Sequence, residues 1–142
     1  MIKQTLLLLV VCFGLVNSSA NAEQFEKLGN WDVHYIVLPS TFIAPDIAKN
    51  YQIQRSKYQP LVNISVLDSE SKDAQSVAIS GTATNLLGQV KQLEFQQVKE
   101  QNAIYYLAQF NVQDEELWRF NIEVRHGNQT QILKFKQKIY VE

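Results

Sequence analysis

The chain has little of what most binding and catalytic chemistry uses. In 142 residues there are one cysteine, one methionine, two histidines, three prolines and five glycines. A lone cysteine excludes an intrachain disulfide and any thiolate-rich metal site. His34 and His126, far apart in sequence, give no spacing for a zinc or copper centre. Asp114-Glu115-Glu116 reads as a solvated turn and not as a calcium loop. Charge of one sign is also missing: 13 basic residues stand against 14 acidic ones, a net charge of −1. That balance carries no footprint of nucleic-acid binding. The apolar run from Leu6 to Val16, broken by Cys12 and Gly14, is 11 residues long. A bilayer-spanning helix needs about 20, so stable membrane insertion is not expected.

What is there at the start reads as an export signal. Lys3 supplies the positive charge, the apolar run follows, and Ala20-Asn21-Ala22 fits a small-x-small cleavage site. Cys12 sits inside the apolar run after Leu9-Val10-Val11, which does not suit lipid attachment. Residues 1–22 are therefore expected to be removed after Ala22, leaving a periplasmic domain over residues 23–142. That domain has 120 residues, enough for one core. It loses Cys12 and Lys3 with the signal, which leaves a net charge of −2. It must fold without a disulfide.

The rest is a series of alternating runs between turn signals. Trp31 to Leu38 reads as a first strand that ends at Pro39. Leu61 to Leu67, Ser76 to Thr84, Lys91 to Lys99, Ala103 to Val112, Leu117 to Arg125 and Gln131 to Val141 follow. In Leu117 to Arg125, Trp118, Phe120, Ile122 and Val124 share the inward face. Val98 is out of phase with Leu93 and Phe95, which predicts a bulge near Gln96-Gln97. Gly81 predicts a bulge or a close backbone approach. His126 to Gln129 reads as a hairpin turn. Pro45 to Tyr51 is the one helix expected, with Pro45 at its first position. About seven one-sided strands predict an all-β, immunoglobulin-like antiparallel sandwich, with one short helix in the connection after the first strand.

Two features invite a functional reading. Residues 39–60 form a long connection, and long connections in compact domains often carry function. Its helix is expected to cap the open end of the sandwich and bury Phe42, Ile47 and Tyr51. Arg55 and Lys57 are candidate contacts for an anion or carboxylate. Lys134, Lys136 and Lys138 share a face of the last strand. They read as an acidic-partner stripe or, preferably, as lysines guarding a sheet edge.

Several blocks taken together carry a resemblance. They are Trp31-Asp32-Val33-His34-Tyr35, Ser40-Thr41-Phe42, the stretch from Ala48 to Lys57 ending in Arg55-Ser56-Lys57, Asn63-Ile64-Ser65-Val66, Asn85-Leu86-Leu87-Gly88 and Ala103-Ile104-Tyr105-Tyr106. In this order they resemble the family called domain of unknown function 4426, short exported proteins of gammaproteobacteria. The resemblance spans the mature chain. It implies an exported β domain and brings no catalytic residues.

The expectation is a non-enzymatic binding or accessory module for a protein or small-ligand partner, without cofactor, metal or catalytic residues. Its candidate binding set is His34, Ser40, Thr41, Arg55, Ser56 and Asn85, provided the connection and the Asn85 turn meet in space. One alternative is a small hydrolase using Asp32, His34 and Ser40, which must converge within about 3 Å. Another is a structural subunit that pairs by strand addition.

Overall fold

A computed structural model describes residues 24–141. The expected export signal and its cleavage site lie outside these residues. The chain is all-β, with nine strands and one short helix among the described residues. The strands are β1 (Gln24–Leu28), β2 (Trp31–Leu38), β3 (Leu61–Asp68), β4 (Ala78–Asn85), β5 (Val90–Leu93), β6 (Gln96–Glu100), β7 (Ala103–Gln109), β8 (Glu116–His126) and β9 (Gln129–Ile139). A 3-10 turn (Ser40–Phe42) and helix α1 (Pro45–Asn50) lie between β2 and β3.

Two antiparallel sheets result. One runs β1-β2-β3-β7-β6 and the other β5-β4-β8-β9. The expected sandwich is present, with two more strands than the seven foreseen. Five-residue β1 is one of them, paired residue for residue with β2 from Gln24 opposite Tyr35 to Leu28 opposite Trp31. The other comes from the run 91–99, which divides. Leu93 is buried between the sheets, whereas Val98 is buried on the outer face of the five-stranded sheet. The phase change near Gln96 is therefore not a bulge. It is where Glu94 and Phe95 carry the chain from one sheet to the other.

The main core lies between the sheets. On β8, Trp118, Phe120, Ile122 and Val124 are all buried, as their alternation requires. Each such side chain contributes about 1.5–3 kcal/mol by leaving water. A run of stacked and edge-on rings crosses the core. Tyr35 of β2 stacks on Phe135 of β9 at 4.3 Å, and Phe135 on Phe120 at 4.5 Å. Phe110 then meets Phe120 and Trp118 edge-on, at 5.7 and 5.1 Å. This geometry adds about 0.5–1.5 kcal/mol per pair to area burial.

Gly81 on β4 packs against β8: a Cβ there would lie 2.9 Å from the carbonyl oxygen of Asn121 and from Cγ1 of Ile122. The β8–β9 hairpin turns through Gly127, at φ +59°, a conformation glycine takes without strain. β9 is the edge of its sheet, and its lysines alternate outward along that edge. An edge so charged resists pairing with another chain.

A second, smaller apolar layer lies on the outer face of the five-stranded sheet. Leu61, Val98 and Leu107 are buried there under Ile43, Tyr51 and Ile53 of the connection. The connection thus covers a sheet face and does not cap the open end of the sandwich. Phe42 is 75% exposed and Ile47 46% exposed, contrary to their expected burial, while Ala48 is the residue α1 buries.

Candidate functional site

The connection is held firmly. Pro39 ends β2, since its ring denies the strand a donor. Pro45 begins α1, with Asp46 in the first turn and Lys49 in the last, both matched to the helix dipole. Ser40, fully buried, donates its hydroxyl to the carbonyl of Ser56 at 2.8 Å and accepts from the Ser56 amide at 2.9 Å. Arg55 donates from Nε to the carbonyl of Ile43 at 2.8 Å and from Nη2 to that of Thr41 at 3.0 Å. Gln109 of β7 donates to the carbonyls of Gln54 and Gln59 and accepts from the amide of Gln54. Tyr51 donates its hydroxyl to the Glu100 carboxylate on β6. That hydrogen bond, with help from burial, raises the Tyr51 pKa above the ordinary phenol value.

Four of the six expected site residues, Ser40, Thr41, Arg55 and Ser56, meet in this way. They join each other through backbone groups, so their polar atoms are largely spent on shaping the connection. His34 lies elsewhere. It sits on β2 opposite Phe25, half-buried, with the two rings stacked at 5.0 Å. Asn85 belongs to the other sheet, buried at the end of β4. It donates to Gln89 at 2.8 Å and Glu116 at 2.9 Å, and accepts from the amides of Leu87 at 3.1 Å and Gln89 at 2.9 Å. It shapes the β4–β5 turn, whose tip carries exposed Leu86 and Leu87.

The alternative triad is spread out. Asp32 pairs with Lys72 at 2.6 Å near the start of β2, and Ser40 follows the strand's far end. Six residues of extended chain separate their ends of β2 by about 20 Å.

At the end of the sandwich the connection and the close of β9 form a cleft of about 240 Å³. The connection contributes Pro39, Thr41, Phe42 and Lys57 to its lining, and the end of β9 with the residue after it contributes Gln137, Lys138 and Tyr140. Gln137 ties the two sheets here by donating to the carbonyl of Val37 at 3.2 Å. The ammonium of Lys57 lies 5.4 Å from the centre of the Tyr58 ring, and that of Lys138 lies 5.5 Å from Tyr140. Phe42, Tyr58 and Tyr140 are each at least half exposed. Such a rim offers two cations, aromatic faces and the hydroxyls of Thr41 and Tyr140. It is suited to holding a ligand with an anionic group beside an apolar one. Sequence reasoning named Lys57 but missed Phe42 and Tyr140. An apolar residue in a connection gives no sign of whether it faces the core or water.

Fold and cleft together define a two-sheet β-sandwich with a ligand-sized cleft at one end. The particular family follows from sequence: the chain matches Domain of unknown function (DUF4426) over residues 25–142 and belongs to that family. It is 36% identical to a DUF4426 family protein from Pseudomonas aeruginosa PAO1 whose crystal structure superposes with a TM-score of 0.75. That match covers 84% of this chain and 96% of the other. FetP of uropathogenic E. coli strain F11 has a similar fold, at 10% identity and a TM-score of 0.60, over 84% of this chain and 94% of FetP. A copper-bound variant of that FetP matches at 11% identity and a TM-score of 0.59, over 82% and 89%. These two likenesses concern the fold alone. No curated protein matches the chain.

Proposed function

We propose that the protein is a non-enzymatic, periplasmic binding or accessory module whose end cleft receives a protein segment or small ligand. The ligand bears a carboxylate or other anionic group next to an apolar or aromatic one. The observation that carries this reading is that Lys57 of the connection and Lys138 of β9 both line the cleft, together with exposed Phe42 and Tyr140. The hydrogen bonds of Ser40 and Arg55 support it indirectly, because they pre-organise one wall and lower the ordering cost of binding.

The fold shared with a copper-bound FetP variant raises the question of metal. In this chain His34 and His126 lie in different sheets. Among the described residues no three His, Cys, Asp or Glu side chains gather as ligands. The binding reading therefore rests on the cleft.

Crosslinking capture from periplasm tests it, with tagged wild type beside Lys57→Glu and Phe42→Ser. We expect a partner or ligand that the wild type retains and both variants lose, with melting temperatures unchanged. Equal capture by all three proteins would overturn the assignment of the cleft.

A further inference from the structure

We infer that the outer face of the four-stranded sheet is a second binding site, for a ligand carrying two or more closely spaced phosphate groups. This site is separate from the end cleft and does not rest on it. Arg119 on β8 and Lys136 on β9 are direct cross-strand partners, and Lys134 stands opposite Asn121 one step along the same face. Like charges set opposite each other destabilise a sheet. Among the described residues no ion pair or side-chain hydrogen bond engages any of these three cations. Farther along this face Arg125 pairs with Glu123, at 3.8 Å.

Guarding an edge accounts for the lysines of β9. It does not account for Arg119, which sits on a strand paired on both sides. On the next strand, Thr84 lies opposite Arg119 and Thr82 opposite Asn121. These six side chains line a shallow depression of about 450 Å³. The Cβ atoms that carry these side chains stand about 5 Å apart across the strands and about 7 Å apart along them, close enough for their long side chains to converge. That spacing suits neighbouring phosphates better than a single carboxylate. The planar guanidinium can bind one phosphate in bidentate fashion, while the ammonium groups neutralise the next. The hydroxyls and the Asn121 amide supply neutral hydrogen bonds.

Clustered phosphates occur in soluble polyphosphorylated molecules and on lipid surfaces, and two probes distinguish these sources. Calorimetric titration of the purified protein with inorganic triphosphate reads the first. Co-sedimentation with phosphatidylcholine vesicles, with and without phosphatidylglycerol, reads the second. We expect binding to at least one probe, weakened about tenfold by each of Arg119→Gln and Lys136→Gln, as loss of a charge-assisted contact implies. Lys99→Gln, exposed on the five-stranded sheet and outside both sites, should leave it unchanged. Binding of neither probe by the wild type would overturn the proposal, as would an equal loss in Lys99→Gln.

Discussion

Ser40 and Ser56, 16 residues apart, close on each other through two hydrogen bonds between one hydroxyl and one backbone unit. The hydroxyl both gives and receives, so it satisfies the amide and the carbonyl of Ser56 at once. The Ser56 carbonyl also accepts from the Gln59 amide at 3.1 Å, so Ser40→Ala leaves only the Ser56 amide without its partner, at a cost of about 1–3 kcal/mol. We expect a loss of about 2 kcal/mol in urea denaturation. A loss under about 1 kcal/mol would show that the connection does not depend on this closure.

Arg55 grips two carbonyls of the 3-10 turn region with a fork that lysine cannot reproduce. Arg55→Lys should therefore behave like Arg55→Ala. Because the side chain is exposed, the expected loss is only about 1 kcal/mol. The sharper readout is hydrogen exchange: amides of residues 40–56 should exchange faster in both variants. Protection restored by lysine would mean that charge alone suffices.

Asn85 donates to the Glu116 carboxylate from inside the protein. Asn85→Asp replaces that donor by a second carboxylate at the same place. The expected cost at neutral pH is about 3–5 kcal/mol, the range for a buried charge deprived of its partner. One of the two carboxyls would then hold its proton above the ordinary range. A folded pKa raised in this way makes the protein more stable as pH falls, so thermal melts should show partial recovery toward pH 4. A pH-independent loss would contradict the pairing.

Gly81 has no room for a side chain. The Asn121 carbonyl that a Cβ would meet is backbone, held in the ladder between β4 and β8. Gly81→Ala is expected to cost about 1–3 kcal/mol through overpacking. Chemical denaturation measures it, and an unchanged midpoint would mean that the strands can part at this point.

Asp68 caps its own loop. Its Oδ1 accepts from the amides of Glu70 and Ser71, each at 2.9 Å. The Ser71 and Glu70 hydrogen bonds hold its pKa below the ordinary carboxylate range. A depressed folded pKa gives stability that is present above the unfolded value and lost as pH falls through the folded one. Asp68→Asn keeps an acceptor oxygen but cannot titrate. Its stability curve should run flatter than the wild type's below about pH 4. Parallel curves would remove Asp68 from the acid response.

The sequence was most informative where pattern and burial coincide. Alternation along β8 identified its buried residues because one face of that strand meets only the core. Pro45 marked the start of α1 because its fixed φ suits that position. Lysines alternating along β9 announced an edge. Pattern failed where one strand gives two answers. β1 is mostly exposed and carries a single aromatic, Phe25, that stacks outward on His34, so it left no alternation to read. The break at Glu94-Phe95 appeared as a phase slip because a period of two residues says which way a side chain points, not which sheet it belongs to. Asn85 read as a ligand contact because a polar residue in a turn looks the same whether it serves the turn or a visitor. The cleft was half legible: Lys57 stood out by charge, while Phe42 and Tyr140 passed for core or connection.

The two-residue passage at Glu94 and Phe95 also sets the mechanics of the molecule. Along that margin the sheets are joined by covalent chain, like the spine of a book. Along the opposite margin β1 lies beside β9 with no strand passing between them, and the tie from Gln137 to Val37 is a single hydrogen bond. Breathing motions of the sandwich should begin on that open margin, and the end cleft lies on it. A ligand seated between Lys57 and Lys138 would span the fore-edge and act as its clasp, slowing the opening of the fold as well as being held by it.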